Sequence, residues 1–473
     1  MAICKTRIAV GAAVFGLGLW PGLAFAHAAE QGFALLLPTH IYIPAGVAVF
    51  VVTVAVLALL PARVGARLMT PRRLWQVPGP DWPVMASSLI AMVALFALVA
   101  IGHRGPGDPL SNLLPLMIWS SWWIGFVMLH MLVGDLWRWI DPWAGLYRVV
   151  VGPVDRPLLR MPGWVGVWPA IVLYMALAGF TIVDPAPADP GRLAQIVTGY
   201  WLFTFAGMVV FGARAWAAHV ECLGLLFRIL STTSPLRLGA NGVIGFPGWA
   251  ALRSPLRSTS VAVFCLVILG MGSFDGLHET FWWLALIGVN PLDFPGRSAV
   301  TREVITGILV ANALLVAVFA GCAWAGCRLA QRADTGAPVP PTRAVFQALA
   351  LSTVPIGLGF HVAHYLSTFL VWGQYTLAAL SDPLASGADL LGLGPVRVLV
   401  GFLADAQTVH ALWLVQATII VVSHVVAVVI AQAMTRQILA TRRQAAWAEA
   451  PLSLFLVGYT VFGLWLLAAA RGG

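Results

Sequence analysis

Apolar runs of about 20 residues follow one another along this chain, and only short loops separate them. A helix of that length spans the hydrocarbon core of a bilayer. Hydrophobic residues make up 60% of the chain and charged residues only 10%, which is far from the composition of a water-soluble domain. The sequence therefore predicts an all-α polytopic membrane protein.

About ten transmembrane helices are predicted after removal of a signal peptide. They lie near residues 41–60, 84–101, 113–133, 164–183, 196–215, 258–274, 304–326, 349–377, 407–433 and 452–470. Lys5 and Arg7 precede an apolar run that ends at Ala24-Phe25-Ala26, a pattern typical of a cleaved secretory signal. We therefore expect a signal peptide at 1–26 and a single transmembrane domain at 27–473.

The charges alternate between successive loops. Arginines concentrate in every second loop, whereas the loops between them carry most of the acids. By the positive-inside rule this pattern predicts a bacterial inner-membrane protein whose mature N- and C-termini are both periplasmic. The net charge of +9 comes without basic blocks, so it indicates membrane topology rather than nucleic-acid binding. The longest inner loop, near 217–257, is predicted to hold an interfacial helix at 223–230.

Three histidines, His361, His364 and His424, lie inside predicted spans. An imidazole in hydrocarbon is costly unless it has a partner, so it indicates a functional site. His424 lies about 21 Å deeper than His410 on the same helix, at a depth similar to that of His361. A helix interruption is expected before His361, at Pro355, Gly357 and Gly359. Three interpretations stay open: a metal site, hydrogen bonds that join two helices, or at most one bis-imidazole haem, since His410 and His424 have the 14-residue spacing of diheme cytochromes b.

A more water-accessible cluster, Asp275, His278 and Glu279, follows an outer helix end. If the helix continues, Asp275 and Glu279 lie one turn apart. Carboxylates beside an imidazole can bind a divalent metal, activate water or act as a general base. Cleavage after Ala26 would also give His27 a free amine beside its imidazole, a pair that chelates copper. The alternative is an outer helix end with solvated acids.

Several short motifs together resemble one family, the bacterial integral membrane fenitrothion hydrolases, which are organophosphorus hydrolases. The motifs are Ser273-Phe274-Asp275-Gly276, His361-Val362-Ala363-His364-Tyr365-Leu366-Ser367, Gly373-Gln374, Ser381-Asp382-Pro383 and Ser423-His424. The likeness extends over nearly the whole mature chain. Two segments depart from the pattern: Asp141 replaces an Asn before Pro-Trp, and Ala388-Asp389-Leu390-Leu391 replaces a Gly-Trp-Asp-Leu-Phe run.

The resemblance implies hydrolysis of an organophosphorus triester to a nitrophenol and a dialkyl thiophosphate. Such a lipophilic small molecule concentrates in a lipid bilayer, and a bound zinc or copper ion would supply hydroxide at neutral pH. The predicted catalytic residues are Asp275, His278 and Glu279, and the predicted metal ligands are His27, His361, His364, His410 and His424. Two other classes compete with the hydrolase: a copper-type metal-cation transporter or metal-handling protein, and a haem-binding redox protein.

Overall fold

The computed structural model of the protein describes residues 39–59, 67, 69–76, 82–155, 157–238 and 241–470. Most of these residues are helical. The helices are α1 (Thr39–Leu59), α2 (Trp82–Arg104), α3 (Leu113–Val133), α4 (Trp137–Ile140), α5 (Ala144–Val150), α6 (Trp168–Val183), α7 (Pro190–Phe211), α8 (Ala213–His219), α9 (Cys222–Leu230), α10 (Thr259–Leu277), α11 (Phe281–Leu286), α12 (Thr301–Ala333), α13 (Thr342–Ala350), α14 (Val354–Ser381), α15 (Ala406–Ile438) and α16 (Arg442–Ala468). Three short strands complete the fold: β1 (Arg72–Gln76), β2 (Leu236–Arg237) and β3 (Asn241–Ile244).

Eight helical segments in the described part of the chain are long and apolar enough to cross a membrane. They confirm the prediction of an all-α polytopic membrane protein. The other two predicted spans coincide with α1 and α6. Helix α6 has only 16 residues, about 24 Å, which is less than the thickness of the hydrocarbon core. It begins at Trp168 rather than near Trp164, because Gly166 adopts a φ of +54° and turns the chain. The predicted signal peptide lies outside the described residues.

Helix α10 forms the centre of the bundle. Its residues are apolar all round, as expected for a helix that is covered on every side, and almost all of them are buried. It packs against α12, α14 and α6, while α14 also packs along α15 and against the middle of α3. The residues that end α10 and those in the middle of α14 therefore face each other in the interior.

Helix α9 is not the interfacial helix that the sequence predicts. Apart from Arg228, its residues are buried, because α9 packs against α3, α6 and α14 inside the bundle. Glu221 begins the helix and accepts hydrogen bonds at its two carboxylate oxygens from the amides of Leu223 (2.8 Å) and Gly224 (2.6 Å). The Tyr200 hydroxyl donates a third bond to Glu221, at 2.7 Å. The bonds from Leu223 and Gly224 satisfy amides that a helix N-terminus otherwise leaves free.

Burial of Glu221 raises its carboxyl pKa from 4.5 to about 7, against the hydrogen bond from Tyr200, which lowers it. Between these two pH values the folded protein binds more protons than the unfolded chain, so stability falls as pH rises from about 4.5 to 7. We expect Glu221→Gln to flatten this dependence, by up to about 1.4 kcal/mol for each pH unit. Thermal unfolding of detergent-solubilised protein across that pH range checks it. A variant with an unchanged pH slope would contradict the role of Glu221.

The three strands form an antiparallel sheet in the order β1-β3-β2. The sequence does not predict this sheet, because its strands are short and β1 lies far from β3 along the chain. Arg72 pairs with Ile244, and a bulge interrupts the pairing between Arg73 and Trp75. The amide of Leu238, just after β2, donates to the carbonyl of Val133 at 3.3 Å. The sheet is therefore attached to the end of α3.

His130 has a packing role at the end of α3. Its ring is fully buried, and its Nε2 accepts hydrogen bonds from the amides of Leu136 (3.1 Å) and Trp137 (3.0 Å). Its Nδ1 donates to the carbonyl of Phe126 at 3.0 Å. His219 likewise donates from Nδ1 to the carbonyl of Gly166, at 2.6 Å. Both rings organise turns in the backbone.

Candidate functional site

Helix α3 contains an unusual stretch of backbone in its middle. Eleven residues, Leu116–Phe126, form a π-helix rather than an α-helix. The π-helix is rare, and where it occurs it is frequently found at functional sites. Within this stretch the carbonyl of Trp123 accepts a hydrogen bond from Nε2 of His361, at 2.9 Å. Because a carbonyl only accepts, His361 carries its proton on Nε2.

Asp275 is the acidic centre of the site. It lies in the last turn of α10, and two side chains of α14 approach its Oδ2 atom. The Tyr365 hydroxyl donates to this oxygen at 2.5 Å, and Nε2 of His364 lies 3.4 Å from it. The His364 ring is 9% exposed and Asp275 is 15% exposed. A carboxylate in such surroundings is stabilised by the donors that face it.

The aromatic rings of α14 form a contiguous group around these polar atoms. The centroid of the Tyr365 ring lies 4.9 Å from that of His361 and 4.7 Å from that of His364. The His361 ring also meets Trp123 edge to face, at 5.6 Å, and Phe360 stacks on His364. His361 and Tyr365 are four residues apart, so helical geometry places them on one face of α14.

A cavity opens between α3, α6, α9, α10 and α14 beside this group. Its polar lining includes Asp275, His361, Tyr365 and Thr181, and most of the remaining lining is apolar. About 40 Å³ is available to the centres of water molecules, which is room for water. Both contacts from α14 to the Asp275 carboxylate use Oδ2. No hydrogen bond or ion pair to Oδ1 is formed by the residues that the structure describes, so Oδ1 is the atom that can accept from water.

The outer cluster is arranged differently from its prediction. Helix α10 ends at Leu277, so it does not continue to Glu279, and the condition for placing Asp275 and Glu279 one turn apart is not met. His278 turns back on the helix end, where its Nδ1 donates to the carbonyl of Asp275 at 2.6 Å, and its ring stacks on Phe274. A new helix, α11, begins just beyond, capped by the Thr280 hydroxyl.

The three intramembrane histidines have different partners. His424 is buried on α15 and meets Phe50 of α1 edge to face, and its Nδ1 donates to the carbonyl of Ile420 at 2.8 Å. Ser423 occupies the crossing with α14 instead, since a side-chain carbon added to Gly359 would lie 2.4 Å from the Ser423 Cβ. Neighbouring residues on a helix point in different directions, so His424 does not share the contact of Ser423 with Gly359.

The expected helix interruption lies just before Pro355, and Gly357 and Gly359 continue the helix. The α-helical path breaks at a short 3-10 turn (Leu351–Thr353), and α14 then begins at Val354 with Pro355 in its first turn. Proline is tolerated there because that position has no intrahelical hydrogen bond to lose. Gly359 has a packing role, since its missing side chain lets α15 approach.

No three His, Cys, Asp or Glu side chains among the described residues lie close enough together to hold a metal ion. His410 lies in the second turn of α15, partly exposed, and His27 lies outside the described residues. The described residues therefore do not fit the predicted zinc or copper centre. The four described cysteines are free thiols.

Two groups at the site, the Tyr365 side chain and the Trp123 carbonyl, are not among the residues predicted from the sequence. Tyr365 follows His364 directly, and its position four residues after His361 is the sequence signal that could have identified it. The Trp123 carbonyl carries no such signal, because it is a backbone atom whose role depends on the π-helix.

No protein-family model matches the chain, and comparisons with curated proteins and with solved structures find no similar protein.

Proposed function

We propose that this protein is a membrane-embedded hydrolase that acts on lipophilic organophosphorus triesters of the fenitrothion type. One observation carries the proposal: Asp275, whose two side-chain contacts from α14 both fall on Oδ2, lines a water-sized cavity among membrane-spanning helices. The motif resemblance, which includes Asp275, His361, His364 and Tyr365, supports the substrate class. With the topology expected from the loop arginines, this end of α10 faces the periplasm.

In the proposed reaction, Asp275 acts as the general base. Water in the cavity gives a proton to Oδ1 as its oxygen attacks phosphorus, and the bond from phosphorus to the aryl oxygen breaks. The products are a dialkyl thiophosphate and a nitrophenolate, which is a stable anion that needs no general acid to leave. The Tyr365 hydroxyl donates to Oδ2 and His364 lies beside that oxygen, which leaves Oδ1 to accept the proton.

The apolar part of the cavity suits the rest of the substrate. Leu226, Leu230, Ile268 and Met271 offer hydrocarbon surface to an aromatic ring and alkyl groups. The cavity of about 40 Å³ accommodates the attacking water, and the triester needs side chains to move aside. Met271 is well suited to this, because methionine adopts many shapes at little cost.

The test is turnover by the purified full-length protein in lipid nanodiscs. We expect release of the nitrophenol from fenitrothion, followed by its visible absorbance, with equal amounts of dialkyl thiophosphate. Nanodiscs that contain no protein control for spontaneous hydrolysis. Absence of protein-dependent release would contradict the hydrolase proposal.

A second function is favoured by the size of the cavity. A carboxylate beside water-sized space within a membrane bundle is also typical of a proton or cation pathway. Proteoliposomes loaded with a pH-sensitive dye distinguish the two functions. Proton flux without substrate would favour transport, whereas nitrophenol release without flux would favour hydrolysis.

A further inference from the structure

The β-sheet presents an exposed edge that mixes apolar and basic side chains. All five residues of β1 are exposed, and β1 is an outer strand of the sheet. Leu74 is 50% exposed, Trp75 41% and Ile244 of the neighbouring strand 43%. Arg72 and Arg73 precede these apolar residues on the same strand. An exposed apolar patch with a charged border indicates an interaction surface.

The sheet lies at the end of the bundle where the arginines collect. Its strand β2 packs against Gly134, directly after α3, and Arg138, Arg237 and Arg253 lie in the same region. By the positive-inside rule this is the cytoplasmic end. Because α3 ends at Val133, immediately before Gly134, the sheet is at the level of the inner membrane surface.

The exposed side chains are held in a fixed arrangement. Trp75 lies across Gly242, where a side-chain carbon would come within 2.3 Å of its ring. The guanidinium groups of Arg237 and Arg253 both lie over the Trp249 ring, at 5.3 and 5.8 Å from its centroid, and such contacts stabilise a loop. The sheet therefore presents these side chains in a defined arrangement.

The charges of the surface favour an anionic partner. Segments 69–76 and 241–253 contain no Asp or Glu. Neither Arg72 nor Arg73 forms an ion pair with a described carboxylate. Guanidinium groups bind phosphate in two-pronged hydrogen bonds, and tryptophan is enriched at the boundary between hydrocarbon and headgroups. Basic residues next to a span attract the anionic lipids of the inner leaflet.

We propose that β1 and Ile244 form a binding surface for anionic phospholipids of the inner leaflet. Arg72 and Arg73 contact the headgroup phosphates, while Leu74, Trp75 and Ile244 enter the boundary with the acyl chains. A cytoplasmic protein that adds a strand to the free edge of β1 is the other possible occupant. The lipid is favoured because the surface lies at membrane level and carries only positive charge.

The experiment compares binding of phosphatidylglycerol and phosphatidylcholine to the detergent-solubilised full-length protein by native mass spectrometry. We expect a preference for phosphatidylglycerol that weakens as salt rises. The double variant Arg72→Gln/Arg73→Gln should bind phosphatidylglycerol roughly 30-fold more weakly, as expected for two basic residues near a membrane surface. The matched control is Arg104→Gln/Arg302→Gln, which removes two exposed arginines from the opposite end of the bundle.

An equal loss in the control, or unchanged binding in the double variant, would overturn the proposal. A second measurement does not depend on removing the arginines. Phosphatidylglycerol with brominated acyl chains should quench tryptophan fluorescence, and Trp75→Phe should remove part of that quenching. If Trp75→Phe leaves the quenching unchanged, the lipid binds elsewhere, and a protein partner becomes the better explanation for this surface.

Discussion

Asp275→Asn is expected to lower kcat for fenitrothion hydrolysis by about 10²- to 10⁴-fold, the range typical for loss of a general base. Asparagine has nearly the same shape and still accepts the Tyr365 hydroxyl, but its amide cannot take a proton from water. The fold around the site should therefore persist while the chemistry is lost. Nitrophenol release in nanodiscs measures the rate, and the elution profile of the purified variant shows whether it stays folded.

The matched control is Asp293→Asn, which alters an exposed acid in the loop between α11 and α12. It should leave turnover unchanged. Tyr365→Phe should have an intermediate effect, because it removes the donor at Oδ2 but leaves the carboxylate in place. If Asp275→Asn keeps wild-type turnover while the protein is active, Asp275 is not the base, and the proposed site is wrong even though the activity is real.

Gly326→Leu is expected to destabilise the protein by about 3 kcal/mol or more, the upper range for added volume in a packed interior. Helices α12 and α16 pack closely along each other. At Gly326 a side-chain carbon would lie 2.2 Å from the carbonyl oxygen of Ala448. Since that atom belongs to the backbone, no side-chain rotation relieves the clash, and the helices must separate. The apparent Tm of detergent-solubilised protein measures the effect.

Gly321→Leu provides the matched control on the same helix. Gly321 is exposed, and a side-chain carbon there meets nothing within 4 Å. Leucine favours the helix over glycine by somewhat less than about 1 kcal/mol, so this variant should be as stable as the wild type or slightly more stable. Equal destabilisation by both substitutions would show that the close crossing of α12 and α16 is not the cause.

The sequence predicts the membrane-spanning helices well because long apolar runs carry a strong signal. The window near 258–274 begins one residue before α10, and the window near 407–433 falls within α15. The ends of helices depend on weaker, local effects. Helix α6 starts late because of Gly166, and α9 is buried because neighbouring helices cover it. The burial of α9 depends on tertiary contacts, which the sequence of one helix does not show.

The candidate site is predicted less completely. Asp275 and His364 are recognisable as polar residues within or beside apolar runs, and the structure does bring them together. The direction in which each ring points is not visible in the sequence. His424 shares a depth with His361 in the prediction, yet Ser423 occupies the helix crossing and turns His424 toward Phe50. Depth in the membrane is only one coordinate of a side chain's position, whereas a binding site depends on all three.

The π-helical middle of α3 has a consequence for how this helix meets its neighbours. Each π turn contains more residues than an α turn, so the two ends of α3 are rotated out of phase with each other. Toward one end, Trp119 stacks with Phe180 of α6; toward the other, His130 contacts Phe227 of α9. One membrane span thereby presents two differently oriented contact surfaces, and the cavity lies where its orientation changes.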